Sequence, residues 1–290
     1  MKYCVLYNPY SGKGESEDDA RLVASSLDGY VCREDMTKIG DPADFLADYG
    51  EDDALIICGG DGTLNRFVNA IDGIDVKCDV LYYPTGTGND FLRDIGVSKS
   101  DCPISIKKYI CDLPTVEVDG KTYRFLNNVG FGIDGYCCEV GDELKKTSDK
   151  PVNYTTIAIK GLLFKFLPLN ATVCVDGEEF SYKKVWIAPT MKGRYYGGGM
   201  MPTPEQDRSA EDRSLSLMVM HGSGKLKTLS VFPSIFKGKH VKHSDIVAIH
   251  KGHEISVTFD RPTPLQIDGE TIRGVTSYKV VAKAPALTTV

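Results

Sequence analysis

The sequence predicts an α/β nucleotide-binding domain over residues 1–111, followed by a mainly antiparallel β-sandwich domain over 112–290. Three observations support this division. Through the first third, short apolar runs alternate with helical patterns, as in a mostly parallel sheet covered on both faces. Two of those runs, 54–58 and 79–83, lead straight into glycine-rich turns, Gly59-Gly-Asp-Gly-Thr-Leu-Asn65 and Pro84-Thr-Gly-Thr-Gly-Asn-Asp90. Beyond about Cys111, strand-like runs meet at Asp-Gly pairs (119–120, 176–177 and 268–269), a hairpin signal because such turns need positive φ.

Residues 2–7 read as the first strand. It ends in Asn8-Pro-Tyr-Ser-Gly-Lys-Gly14, which is either a third phosphate loop or an ordinary turn. A helix is expected over 17–28, a strand over 30–34 with Thr37 just beyond its end, and a helix over 41–49. The strand 54–58, helix 63–71, strand 79–83, a helix start at 90–94 and a helix over 104–110 complete the first domain. In the second domain, further strands are expected at 183–188, 214–220, 246–249, 254–259 and 275–282, and helices at 154–166 and 225–236. A return of the C-terminal tail to the first domain is left open.

The chain has 290 residues and a formal charge of −6, so its overall field does not attract nucleic acid or an anionic bilayer. A phosphorylated ligand would have to be met by local groups. Nine cysteines are scattered without metal-ligand spacing, in keeping with a reduced, cytoplasmic interior. The N-terminus enters a strand at once, so no signal segment is expected. The apolar stretch near 162–169 is interrupted by Lys165 and too short to span a bilayer.

The chemistry concentrates in the glycine-rich turns. Glycine at a strand end lets backbone N–H groups come close to an anion, and the helix N-termini that follow favour phosphate. Two such loops on neighbouring strands would form a polyphosphate crevice. With a nucleoside triphosphate there, phosphoryl transfer further needs a divalent metal and a group that orients the acceptor hydroxyl. Asp61 is placed to approach Mg²⁺ or a hydroxyl, or else to bond its own turn. Thr63, Asn65, Thr87, Asn89 and Asp90 supply hydroxyl, amide and capping contacts. The second domain offers Asp134, Asp207, Asp212 and Glu270, each either a site acid or a solvated loop acid. Glu178 repeats the Val/Ile-Asp-Gly-Glu surroundings of Glu270, and periodicity does not separate the two. Tyr195-Tyr-Gly-Gly-Gly-Met-Met-Pro202 is either a mobile cover or a loop tucked against the core. The 162–167 run is core or the edge of a lipid-accessible groove. Lys145, Lys146 and Lys150, or the basic group at 237–243, are candidates for an anionic interface.

These motifs, in this order, resemble the bacterial diacylglycerol kinase family, soluble lipid kinases related to sphingosine and ceramide kinases. Asn8 to Gly12 is similar to the family's Asn-Pro-x-Ser/Ala-Gly turn, Gly59 to Asn65 matches its Gly-Gly-Asp-Gly-Thr-Leu/Ile-Asn, and Pro84 to Asp90 its Pro-x-Gly-Thr-x-Asn-Asp. Gly59 to Thr63 alone is shared with NAD kinases. The resemblance implies an NAD kinase/diacylglycerol kinase-like fold that binds ATP with Mg²⁺. It implies nucleotide contacts from Asn8, Pro9, Ser11, Gly12, Thr37, the Gly59, Gly60, Asp61, Gly62, Thr63, Leu64, Asn65 and Arg66 run, and Gly86, Thr87, Gly88, Asn89 and Asp90. Its C-terminal Asp-Gly-Glu corresponds to 268–270, which makes Glu270 the leading proton acceptor and Asp61 the second. Asp134, in a Gly-Phe-x-x-Asp-like segment, would belong to an acid network that organises magnesium. Asp212 is the carry-over for a second magnesium-associated acid, with Asp207 its rival.

At 204–213 the chain departs from the family. Arg213 stands where the family's Asp-Asp-Gly has glycine. The expectation is therefore a cytoplasmic lipid kinase working at a membrane surface by peripheral contact, with diacylglycerol as the first substrate. Alternatives are a sphingoid base, ceramide or phosphatidylglycerol kinase, an NAD kinase, or a nucleotide-binding regulator without catalysis. A homodimer is left open.

Overall fold

A computed structural model describes residues 1–10, 16–86, 89–98, 102–147, 152 and 154–283. The chain separates into two compact units, Met1–Leu113 and Pro114–Val290.

The first unit runs β1 (Lys2–Tyr7), α1 (Ser16–Ser25), β2 (Tyr30–Asp35), α2 (Pro42–Ala47), β3 (Ala54–Gly59), α3 (Asp61–Ala70), β4 (Asp79–Pro84), α4 (Asp90–Asp94), β5 (Ile104–Ser105) and α5 (Lys107–Ile110). Its sheet has the order β2-β1-β3-β4-β5, with the first four strands parallel and β5 antiparallel to β4. Central β3 is buried along its whole length, which explains its unbroken apolar run. Asp41 caps α2 by accepting the Ala43 N–H at 2.7 Å, and Pro42 occupies its first turn. α1 stops at Ser25 rather than near residue 28. The hydroxyls of Ser25 and Ser26 bond back to the carbonyls of Leu22 and Val23, satisfying the last turn early. The helix expected over 104–110 begins only at Lys107, because Ile104 and Ser105 pair with Tyr82 and Leu81 at the sheet edge.

The second unit runs β6 (Thr115–Val118), β7 (Lys121–Arg124), β8 (Asn128–Gly132), α6 (Ile133–Thr147), α7 (Tyr154–Lys160), β9 (Leu169–Val175), β10 (Glu178–Val185), β11 (Ile187–Met191), β12 (Leu215–Met220), α8 (Lys225–Val231), β13 (Val247–Gly252), β14 (Glu254–Ile267) and β15 (Glu270–Val281). A π-turn, Gly161–Lys165, extends α7, and 3₁₀ turns follow α8. All strand pairs are antiparallel, in the order β13-β12-β11-β8-β14-β15-β6-β7, with β9 paired to β10 and β14. β14 changes partner along its length: residues 255–259 pair with β9, and 265–267 with β8. Register shifts between 258 and 265 accompany the exchange, bending the strand so that one continuous sheet wraps a core containing Phe131, Leu162, Trp186, Phe259 and Tyr278.

Three expectations need correction. The segment after β8 is a fifteen-residue helix, α6, so Asp134 lies in a helical first turn and not in a loop. The predicted strand 254–259 continues to Ile267, and the one at 275–282 begins at Glu270, giving a single long hairpin. The predicted strand 183–188 is two strands broken at Trp186, with Lys184 at φ 53° just before the break.

Candidate functional site

In the first unit, strand order reverses between β1 and β3, the place where parallel sheets bind ligands beyond their carboxyl ends. Asn8 leaves β1 there. Its Oδ1 accepts the Tyr10 N–H at 3.0 Å and its carbonyl accepts the Ser16 hydroxyl at 2.5 Å, so it shapes the turn that contains Pro9. Ser11, Gly12, Thr87 and Gly88 lie outside the described residues. Thr37 donates through both N–H and hydroxyl to Asp35 Oδ1, at 2.9 and 2.7 Å. That hydroxyl is the main reason the Asp35 carboxyl is held below its usual range, with Lys38 3.1 Å away adding to it.

The two glycine-rich turns are in direct backbone contact. A Cβ on Gly86 would lie 2.9 Å from the Gly60 Cα, and one on Gly59 would lie 2.5 Å from the Thr63 Cβ. Neither position tolerates a side chain. Thr85 N–H donates to the Gly59 carbonyl at 2.9 Å. Asp61 Oδ2 reaches across to accept the N–H of Asp90 at 2.8 Å and of Phe91 at 3.4 Å, so the acid of the first turn caps the helix opened by the second. Asn89, at φ 38°, donates its side-chain N–H to the Gly86 carbonyl at 2.8 Å. Thr63, Leu64, Asn65 and Asp90 are buried, while Gly62 is half-buried and Arg66 exposed. The backbone of 59–65 is thus fixed on one side and presents the first turn of α3 on the other. Such an arrangement suits an anion.

In the second unit, Asp134 is 7% exposed and packs over β8, where only glycine fits: a Cβ on Gly130 would lie 2.1 Å from its Oδ2. Burial pushes this carboxyl up to about 7, opposed by bonding to Gln266 and Tyr196. Gln266 Nε2 donates to Asp134 Oδ2 at 3.1 Å, and Gln266 Oε1 accepts the Gly269 N–H at 2.8 Å. The buried acid is therefore wired to the turn that carries Glu270. On the other side of that turn, the Asp268 carboxylate accepts three backbone N–H groups, from Leu126, Asn127 and Asn128, at 2.5, 2.8 and 3.0 Å. Arg208, itself buried, grips the same segment through the Leu126 carbonyl at 2.6 Å and Asn127 Oδ1 at 2.7 Å. Glu270 follows as the first residue of β15, exposed. The glutamate in the sequence repeat, Glu178, has different neighbours. Asp176 of its turn accepts the His253 and Glu254 N–H groups, at 2.9 and 2.8 Å.

Asp212 and Asp207 each close on their own turns. Asp212 Oδ1 accepts the Ser214 N–H and hydroxyl at 3.1 and 3.0 Å, and Lys251 sits 3.2 Å from Oδ2. The two Ser214 bonds, then Lys251, hold its carboxyl down to about 2. Asp207 Oδ1 accepts the Ser209 N–H at 2.9 Å. Arg213 takes the left-handed φ of 54°, so the turn that suits glycine persists without one. The expected magnesium-associated set of Asp134, Asp207 and Asp212 is not assembled: among the described residues, no group of three or more His, Cys, Asp or Glu is placed to hold a metal ion. With Asp212 paired to Lys251 and both Asp207 and Asp212 closed onto their own turns, these acids do not form a preformed Mg²⁺ site.

The triple-glycine segment is tied back on itself against the core. Tyr196 and Met200 exchange backbone bonds of 3.1 and 2.9 Å around Gly197, Gly198 and Gly199, and the buried Tyr196 ring lies beside Asp134. Sequence reasoning did not single out Gln206, Arg208 or Gln266. Gln206 Nε2 bonds the Ser214 carbonyl at 3.0 Å, and its Oε1 accepts the Ser216 hydroxyl at 2.6 Å. Gln206 and Arg208 stand in a charged, turn-rich string and Gln266 at a strand end beside a turn, so nothing local marks these polar side chains as buried.

Residues 2–119 match the diacylglycerol kinase catalytic domain, and residues 127–288 match the YegS C-terminal NAD kinase beta sandwich-like domain. A diacylglycerol kinase of Bacillus subtilis (strain 168) is 25% identical over 278 residues, covering 92% of this chain and 88% of its own length. A diacylglycerol kinase of Mycobacterium tuberculosis is 26% identical over 201 residues, covering 67% of this chain and 63% of its own. Among solved structures, a diacylglycerol kinase from Bacillus anthracis superposes with a TM-score of 0.60 at 16% identity, over 97% of this chain and 94% of that one.

Proposed function

Because this chain belongs to the bacterial diacylglycerol kinase family of lipid kinases, we propose that it transfers the γ-phosphoryl group of ATP to the hydroxyl of diacylglycerol, giving phosphatidic acid and ADP. The observation that carries the reading is the fixed Asp268-Gly-Glu270 turn. It is held by three backbone bonds to Asp268 and, through Gln266, by Asp134, while the Glu270 side chain remains exposed. A carboxylate on so firmly placed a backbone is suited to accept a proton from a substrate hydroxyl.

In this reading the glycine-rich backbone of 59–65 and the start of α3 hold the nucleotide phosphates, and Asp61 keeps the second loop against the first. The lipid hydroxyl gives its proton to a Glu270 carboxylate oxygen as its own oxygen bonds to the γ-phosphorus. The bond from that phosphorus to the bridging oxygen breaks, and the electron pair leaves with ADP. Positioning and charge placement dominate such a transfer, since little covalent chemistry falls to the protein. Magnesium would enter with the nucleotide, held by its phosphates and not by a preformed set of acids, and would offset phosphate charge.

Incubation with labelled ATP, magnesium and mixed micelles of single lipids tests this. Labelled phosphatidic acid from diacylglycerol is the expected product. Transfer only to a sphingoid base, ceramide or phosphatidylglycerol would move the acceptor and keep the reaction. Transfer only to NAD would make the chain a nucleotide-cofactor kinase, and nucleotide binding without any transfer would make it a regulator.

A further inference from the structure

We propose that Arg208 is a positioning residue for Glu270. Its guanidinium and the Asp268 carboxylate hold opposite ends of one peptide group, between Leu126 and Asn127, and that peptide fixes the turn that carries Glu270. What Glu270 does there rests on the lipid-kinase reading, whereas the bracing rests on the geometry alone.

Arg208 comes from residues 204–213, where the chain departs from its family. Side chains alternate there: Glu205, Asp207 and Ser209 are exposed, while Gln206 and Arg208 between them are 3% and 7% exposed. A stretch rich in acids thus turns those acids outward and one cation inward. Burying an arginine is costly unless its planar fork meets acceptors. Here Nη1 donates to the Leu126 carbonyl at 2.6 Å, and Nη2 to Asn127 Oδ1 at 2.7 Å. The Leu126 carbonyl and the Asn127 N–H belong to the same amide, and that N–H donates to Asp268 Oδ1 at 2.8 Å. The amide therefore lies between a cation at its oxygen and a carboxylate at its nitrogen. Each bond polarises the group in the sense that strengthens the other, and burial of Leu126, Asn127 and Asn128 keeps water from screening it.

Neighbouring contacts make the grip reciprocal. The Asp268 N–H donates to the Asn128 carbonyl at 3.0 Å, so turn and segment bond in both directions. Gln206 repeats the device one step away. Its Nε2 donates to the Lys192 carbonyl at 3.3 Å, and the N–H of that same peptide, from Gly193, reaches the Asn127 carbonyl at 3.3 Å. Gln206 Nε2 also bonds the Ser214 carbonyl at 3.0 Å, which fastens the far end of the segment that presents Arg208. Glu270 stands two residues beyond Asp268, so a shift of Asp268 carries Glu270 with it. Without the guanidinium, the carbonyl end of the Leu126–Asn127 amide loses its charged partner, and the turn is held by one side of the clamp alone.

The test uses the full chain. Arg208→Met keeps most of the stem and removes the donors, while Arg208→Lys keeps the charge but lacks the fork that spans two acceptors. With labelled ATP and diacylglycerol micelles, Arg208→Met should lower kcat by about a hundredfold and Arg208→Lys by about tenfold, with KM for ATP within about twofold of wild type in both. Both ends act on one peptide, so Arg208→Met/Asp268→Asn should stay within about threefold of the slower single variant, against the product expected of independent effects. Losses that multiply, or an Arg208→Lys variant as fast as wild type, would overturn the proposal. Hydrogen exchange gives a readout that needs no activity. In Arg208→Lys the amides of Asn127, Asn128 and Gly269 should exchange faster together, by about tenfold or more, while those within β12 keep their rates. A Gly269 amide that exchanges as in wild type would also overturn it. Should Arg208→Met fail to fold, Arg208→Lys carries both readouts. A joint exchange response, with no lipid phosphorylated by wild type, would sink the kinase reading and leave the bracing standing.

Discussion

Glu270 and Glu178 show what a residue's own neighbourhood conceals. Both follow Asp-Gly at positive φ, with 47° and 92° in one turn and 49° and 89° in the other. Only the first turn rests on residues 126–128 and on a buried acid, and those partners lie about 130–140 positions away in sequence. Such long-range contacts leave no periodic trace in the sequence. Replacing Glu270→Gln should lower kcat by about a hundredfold or more while leaving ATP affinity within a factor of two, read by steady-state kinetics and calorimetric titration. Asp134 supplies a pH signature. Its folded-state carboxyl titrates near 7, above the usual 3.8, so the native state holds a proton that the unfolded chain has released. The contribution to stability is therefore full below about pH 4 and is lost as pH rises through about 7. Unfolding free energies from urea titration of Asp134→Asn should fall less steeply than wild type across that window, a difference on the order of a few kcal/mol. Equal slopes would mean that Asp134 titrates normally.

At the scale of elements, the strand–loop–helix order of the first unit was legible because glycine marks where a strand must stop and an anion-binding turn begin. The second unit was legible as strands but not as strand lengths. β14 continues past residue 259 through a partner exchange, and alternation of apolar and polar residues stops carrying information where both faces become buried, as at 265–267. α6 was missed for a related reason. Its opening Ile-Asp-Gly-Tyr-Cys-Cys contains weak helix formers, and tertiary packing accounts for the helix there: Gly135 lies directly against β14, where an added Cβ would be only 1.8 Å from the Pro264 carbonyl oxygen. Gly135→Ala would ordinarily favour a helix by nearly 1 kcal/mol. Here it should destabilise by about 3 kcal/mol, because helix and strand must part to admit the methyl group. Chemical denaturation of the variant measures the sign, and stabilisation would contradict the packing.

For the molecule as a whole, the sequence carried both family and architecture, since the three glycine-bearing turns occur in order within the first 90 residues. The acids of 204–213 were less legible: by residue type Asp207 and Asp212 are alike, only the resemblance put Asp212 ahead, and the structure closes each onto its own turn. No helix among the described residues is long and apolar enough to cross a membrane. Saturating nucleotide should stabilise the native state by mass action, about 2.7 kcal/mol at a hundred times Kd. ATP should raise the thermal midpoint and NAD should not. The reverse order would favour the NAD-kinase alternative.

The bond from Asp61 to the backbone of Asp90 and Phe91 also bears on motion. Two loops that carry separate sequence motifs share this fastening, beside the Thr85–Gly59 backbone bond, so opening one disturbs the other. Hydrogen exchange at the Asp90 amide and at the amides of Gly60 to Leu64 should report a single opening event, slowed together by nucleotide and quickened together by Asp61→Ala. The pair of loops would then behave as one latch, and substitutions placed on opposite sides of it would show energies that do not add.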